Sequence, residues 1–205
     1  MVTKLLVATT NQTKFKELKE LLTELPITLL SLSDFPNVVE VKEDGATFRE
    51  NAEKKALGYA QQTNCLTLAE DSGLTVDYLN GEPGVHSARF SGPEKNDLEN
   101  CRKILKLMEG VSRQGRSAAF HCACALATPE KVISVVEESV SGQITEKMWG
   151  KGGFGYDPLF FYPDFGTTFA NVTAARKHSV SHRGKALRKM KEVLKEYLRA
   201  RSSVG

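Results

Sequence analysis

The stretch SAAFHCACALATPEKVISVVEESVSGQI, residues 117–144, decides the architecture. Ser117 to Thr128 and Val132 to Ile144 are runs of small and β-branched residues, separated by Pro129, Glu130 and Lys131. Two such runs joined by so short a polar turn predict a strand hairpin, and a hairpin is antiparallel by construction. Upstream, short apolar runs alternate with helical patterns. Lys4 to Thr10 reads as a buried strand, after which Lys14, Leu18, Leu21, Leu22 and Leu25 fall at helical spacing until Pro26. Ile27 to Leu32 reads as a second strand. A further helix opens at Thr47 with a capping box, Glu50 standing where it can reach back to the cap, and runs to about Gln62. Leu66 to Ala69 reads as strand, Glu94 to Met108 as helix, and Ser181 to about Arg201 as an amphipathic helix. Strand–helix alternation followed by a hairpin makes the fold α/β, with a mixed sheet flanked by helices.

The chain of 205 residues is 40% hydrophobic and 26% charged, which suits one soluble domain and excludes a mostly disordered chain. A net charge of +3, from 28 basic and 25 acidic residues, is too small for nucleic-acid binding by bulk electrostatics. Leu5 to Ala8 is too short an apolar stretch for a membrane span or a signal core, so a cytoplasmic protein is expected. Cys65, Cys101, Cys122 and Cys124 form no CxxC pair and read as reduced, mostly buried thiols.

Three basic residues fall where the helical pattern calls for apolar ones. Lys14 lines up with Leu18, Leu21 and Leu25; Lys55 sits among Phe48, Ala52 and Tyr59; Arg183 continues the stripe of Leu187, Met190, Leu194 and Leu198 backwards. A desolvated cation is costly unless an anion meets it, so either the stems snorkel to water or the cations face a polyanion. The turn Thr9-Thr10-Asn11-Gln12-Thr13-Lys14, at a strand-to-helix junction, suits a phosphate without being a Walker A loop; a polar N-cap fits it equally.

Glu70 and Asp71 are expected where a strand meets a turn, a common place for α/β active-site carboxylates. Neighbouring strand residues face opposite ways, so both line one site only if the turn rotates one of them. The loop Glu40-Val41-Lys42-Glu43-Asp44-Gly45 offers further oxygens, and an acid from each segment would meet the preference of Mg2+ for hard ligands. An Asx-turn at Asp71-Ser72-Gly73 and a solvated turn at Lys42-Glu43-Asp44-Gly45 fit the two segments equally. In Lys151-Gly152-Gly153-Phe154-Gly155-Tyr156-Asp157-Pro158, glycines flank one aromatic, which suits either a ring presented to a nucleobase or a tight corner. Lys177, His182 and Arg183 add donors for a purine carbonyl or a phosphate.

These motifs occur in order along the chain: Thr9-x-Asn11-x-x-Lys14, Glu43-Asp44-Gly45-x-Thr47-Phe48-x-Glu50-Asn51-Ala52, Ala69-Glu70-Asp71-Ser72-Gly73-Leu74, Gly81-x-Pro83-Gly84-x-x-Ser87-Ala88-Arg89, Gly152-Gly153-Phe154-Gly155-Tyr156-Asp157-Pro158 and Ser181-His182-Arg183-Gly184. Taken together they resemble the inosine triphosphatase family, the Ham1-like pyrophosphatases of non-canonical purine nucleoside triphosphates. The resemblance spans essentially the whole chain. It implies an elongated mixed sheet flanked by helices, in two lobes around a central cleft. It also implies Mg2+-dependent hydrolysis of inosine, xanthosine and deoxyinosine triphosphates to monophosphate and pyrophosphate, by a homodimer.

Carried over by motif, Asp71 is the proton acceptor and a metal ligand. Thr9, Thr10, Asn11, Gln12, Thr13, Lys14 and Ser72 hold phosphates, and Lys55 stands beside them. Phe154, Gly155, Tyr156, Asp157, Lys177, His182 and Arg183 shape the base pocket. Lys42 occupies a position where some members carry another acid, so the second metal ligand lies among Glu40, Glu43 and Asp44, with Glu43 the choice. The reaction expected is in-line attack of water on the α-phosphorus, with lysines neutralising the leaving pyrophosphate. Donors aimed at the 6-keto oxygen would exclude adenine. The rival readings are a Maf-type pyrophosphatase of pyrimidine or modified triphosphates and a non-catalytic nucleotide- or RNA-binding module; acids at Glu43 and Asp71 oppose the latter.

Overall fold

A computed structural model describes residues 2–202. The elements are β1 (Thr3–Val7), α1 (Gln12–Leu21), β2 (Ile27–Ser31), α2 (Phe48–Thr63), β3 (Leu66–Val76), α3 (Asp97–Leu107), β4 (Ser117–Ala127), β5 (Val132–Ile144), β6 (Phe160–Tyr162), β7 (Thr167–Thr168), α4 (Ala174–Val180) and α5 (His182–Ser202). The strands form one sheet in the order β2-β1-β3-β4-β5-β6-β7. β1 pairs in parallel with β2, Leu5 opposite Leu29, and with β3, Leu5 opposite Leu66. A parallel pair needs a crossover, and α1 supplies it between β1 and β2. Further along, β6 runs antiparallel to β5 and β7. The sheet is therefore mixed, as the sequence leads one to expect.

The hairpin lies where the residue pattern places it, its turn closed by the Thr128 N–H donating to the Lys131 carbonyl at 2.9 Å. Several expectations are corrected. The first helix stops at Leu21, so Leu25 lies beyond it; the Leu25 N–H bonds to the Leu22 carbonyl in a turn ahead of Pro26, whose ring disfavours helix in the preceding residue. The third helix opens at Asp97, because the Asn96 side chain caps it by accepting from the Glu99 N–H. β3 does not end at Ala69 but runs on to Val76, so Glu70 and Asp71 lie inside a strand and not at its end. The capping box at Thr47 is half formed: Thr47 Oγ1 accepts from the Glu50 N–H at 3.1 Å, but the Glu50 carboxylate accepts from the Ala46 N–H at 2.7 Å instead of the Thr47 N–H.

The chain divides into two compact units, the boundaries falling inside β3, β4, β5 and α5. Of the described residues, the first comprises 2–71, Ala123–Glu137 and 186–202. One cluster of its core is built mainly of small residues: Ala52, Ala56 and Ala60, one helical turn apart on α2, pack with Ala69, Ala123, Ala125 and Ala127 on the strands and Ala8 just after β1, beside Leu6 and Tyr59. Small side chains on both surfaces bring a helix backbone close to a sheet, which fixes the height and rotation of whatever else that helix carries. The second unit, Ser72–Cys122 and Glu138–Lys185, has an aromatic core of Phe120, Phe160 and Phe169 with Leu74, Val76, Ile104, Met108 and Leu159. Phe120 and Phe160 pack at 4.5 Å between ring centroids, and Phe160 and Phe169 at 5.0 Å. All four cysteines are free thiols, and only Cys65 is not fully buried.

Candidate active site

In the first unit, α2 carries Asn51 and Lys55 four residues apart and therefore on one face. Lys55 Nζ lies 3.1 Å from Glu43 Oε2 and 4.0 Å from Asp71 Oδ1. Side-chain exposures of 13% for Lys55, 31% for Glu43 and 13% for Asp71 show that the ammonium does not snorkel: it is held between two carboxylates. Asn51, 1% exposed, donates from Nδ2 to Asp71 Oδ2 at 3.1 Å, while its Oδ1 accepts from the Gly45 N–H at 2.7 Å. A Cβ on residue 45 would stand 2.8 Å from that Oδ1, so only glycine lets the loop approach α2 so closely. Of the three acids weighed for the loop, Glu43 faces Lys55, whereas Asp44 turns to Lys54 at 2.8 Å and Lys42 at 3.2 Å, solvent-side partners that lower its pKa, Lys54 foremost. Glu40 is exposed.

Lys14 is brought to Glu70, Nζ to Oε1 3.0 Å, with only 5% of the Glu70 side chain exposed. Glu70 and Asp71 thus meet different lysines, in keeping with the alternation of side chains along β3. The turn ahead of α1 is a working N-cap: Asn11 Oδ1 accepts from the Lys14 N–H at 3.1 Å, and Thr9 Oγ1 accepts from the Asn11 N–H at 3.2 Å. Thr10, Gln12 and Thr13 are exposed, and Thr9 is half-buried.

In the second unit, the glycine-rich segment is a loop between β5 and β6 organised by one buried acid. Asp157, 1% exposed, accepts from the Phe154 N–H at 3.0 Å and pairs with Lys177 at very short range. Burial pushes the Asp157 carboxyl above the ordinary carboxylate range, against the opposite pull of Lys177. A Cβ on Gly153 would overlap the Asp157 carboxylate, and φ there is +73°. Phe154 is 46% exposed, with the Lys177 ammonium 4.3 Å from its ring centroid. Tyr156 is buried, its hydroxyl donating to the Ser87 carbonyl at 2.7 Å, so it anchors the loop and is not displayed by it. His182 and Arg183 open α5 almost fully buried, the His182 ring stacked on Phe120 at 4.8 Å. Ser72, half-buried, begins this unit within β3.

Three residues carry contacts that the sequence pattern does not assign: Asn51, Asp97 and Cys101; Glu70, weighed there beside Asp71, proves to be the partner of Lys14. Asp97 accepts from the Gly155 N–H at 2.7 Å, and the Cys101 thiol reaches the Gly155 carbonyl at 3.4 Å. Burial, with Asp97 and Asp157 nearby, pushes the Cys101 thiol up to about 12. The spacing of Asn51 to Lys55 was a usable signal; nothing in the local pattern marks Asp97.

A mixed sheet flanked by helices, bearing a lysine set between two carboxylates, defines the broad class as an α/β protein with a charged cluster on its sheet. Within that class the chain belongs to the Ham1 family, whose model matches residues 5–193. It is 50% identical over 191 residues to the dITP/XTP pyrophosphatase of Desulforamulus reducens, covering 93% of this chain and 95% of that protein. The dITP/XTP pyrophosphatase of Geobacter sulfurreducens is 48% identical over 193 residues, 94% of this chain and 97% of its own. Among solved structures, a HAM1 protein from Coxiella burnetii superposes with a TM-score of 0.89 at 38% identity, over 95% of this chain and 99% of that one.

Proposed function

We propose that this protein is a Mg2+-dependent pyrophosphatase of non-canonical purine nucleoside triphosphates. It hydrolyses dITP, XTP and ITP to the monophosphate and pyrophosphate, clearing them from the nucleotide pool. The observation that carries the reading is the Lys55 ammonium held by Glu43 and Asp71. The names of the relatives, dITP/XTP pyrophosphatases, support the substrate class.

The donor set fits a hard divalent cation: Glu43 and Asp71 already converge on a positive charge, and both are carboxylates with partial access to solvent. When bound, Mg2+ supplies charge neutralisation at the phosphates. Asp71 orients the attacking water toward the α-phosphorus and takes its proton. Lys55 faces the charge that grows on the departing pyrophosphate, as does Lys14 from the first turn of α1, with Thr9, Thr10, Asn11, Gln12, Thr13 and Ser72 as polar contacts to the tail. Phe154 offers a face for stacking a purine, and Gly155, Tyr156, Asp157, Lys177, His182 and Arg183 set the loop and donors around it.

Residues 1–205 act as one such domain, in a cytoplasmic homodimer. Among the described residues no helix is long and apolar enough to cross a membrane. Pyrophosphate release from dITP, XTP, ITP, dGTP, dATP, UTP and dTTP, with and without Mg2+, tests the proposal. Turnover confined to the first three and dependent on Mg2+ is expected. Preference for UTP or dTTP, or none for any nucleotide, overturns it. Sedimentation of the purified protein tests the dimer.

A further inference from the structure

The acid assigned as the base has two oxygens, and they have different neighbours. Asp71 Oδ1 lies toward Lys55, while Oδ2 accepts from Asn51. The orientation of the Asn51 amide follows from chemistry. The Gly45 backbone N–H can only donate, so the amide oxygen must face it, and the NH2 group must then face Asp71. Asn51 is 1% exposed, and both of its polar ends are engaged, one by the loop that carries Glu43 and the other by the strand that carries Asp71. A single buried amide thus fixes the two carboxylate-bearing segments with respect to each other and to Lys55 one turn along the same helix.

From this arrangement we propose that Asn51 is a positioning residue for the reaction: its NH2 group holds Asp71 Oδ2 so that Oδ1 is the oxygen presented to the attacking water. The proposal rests on the reading of Asp71 as the base given above. Held by a donor, the carboxylate cannot rotate to share both oxygens with Lys55, and the proton-accepting lone pair keeps one direction. Asparagine suits the task because it offers a donor and an acceptor from one planar group. Ionised aspartate has the same shape and retains the acceptor for Gly45 but presents an oxygen, not a donor, to Asp71.

The test is Asn51→Asp beside wild type, with steady-state kinetics on dITP and thermal unfolding. A fall in kcat of about 10- to 100-fold with KM within about 3-fold, and the folded state retained, is expected. Unchanged kcat, or a change confined to KM, overturns the assignment. Independently of activity, the Asn51 side-chain NH2 resonances of 15N-labelled protein should shift on Asp71→Ala, along with the Gly45 amide; resonances that do not move would overturn it even if Asn51→Asp fails to fold. Failure of the underlying functional reading is distinguishable, because wild type itself would then release no pyrophosphate from dITP.

Discussion

The two units bring their charged groups together by different means. In the first, Lys55, Asn51 and Asp71 stand on a helix and a strand packed through an alanine-rich cluster, and each charge is matched by another within a few ångströms. In the second, Phe154 and Asp157 stand on an irregular loop, and order comes from one buried carboxylate that gathers the Phe154 N–H and Lys177 around it. Regular elements with small residues between them leave little room for adjustment, which suits a group that must meet a reacting atom in one direction. A loop pinned by a few hydrogen bonds can be reshaped without disturbing a core, which suits the choice of ligand. On the roles proposed above, chemistry and selectivity are separable, and substitutions in the two units should fail in different kinetic parameters.

The strongest break of that contrast is Asp71→Asn. Loss of the proposed base should lower pyrophosphate release from dITP by about 10²–10⁴-fold while thermal unfolding shows an intact fold. Lys55→Met comes next, with kcat expected to fall about 10²–10³-fold, the usual cost of removing a group that meets developing negative charge. Phe154→Ala should act the other way round: loss of a stacking face worth about 1–3 kcal/mol raises KM roughly 5- to 150-fold and leaves kcat nearly intact. If Phe154→Ala instead lowers kcat alone, the separation between the units fails.

A smaller effect concerns pH. Because burial raises the Asp157 carboxyl, the folded protein holds its proton more readily than the unfolded chain, whose Asp titrates near about 3.9. The stability of wild type relative to Asp157→Asn should therefore fall as pH rises from about 4 through the raised value, and level off above it. A difference that grows with pH would mean that Lys177 outweighs burial. The smallest expected effect is chemical: at neutral pH a thiol reagent should modify Cys65 first, since Cys101, Cys122 and Cys124 are buried and the Cys101 thiolate is scarce.

Legibility in the sequence followed the same division. The hairpin could be read almost to the residue, since β-branched and small residues around a short turn leave one solution. Lys14 and Lys55 stood out because a cation on an apolar stripe demands an explanation, and each proves to be paired with an acid. The length of β3 could not be read, because Glu70, Asp71 and Ser72 look like a turn until their partners on other elements are known. Asn51 was hidden by its ordinariness: an amide near a helix start is usually a cap, and here its partners are six residues back and twenty ahead. Asp97 contacts Gly155 across fifty-eight residues, a separation that no local pattern encodes. The short helix α4, which delivers Lys177, was also unforeseen, lacking an apolar period of its own.

The central claim is that water attacks the α-phosphorus under the direction of Asp71, and isotope labelling tests it most directly. With dITP turned over in H2¹⁸O, mass spectrometry of the products should find one ¹⁸O in the monophosphate and none in pyrophosphate. Label in the pyrophosphate, or a diphosphate with labelled orthophosphate, would place the attack at another phosphorus and contradict the account.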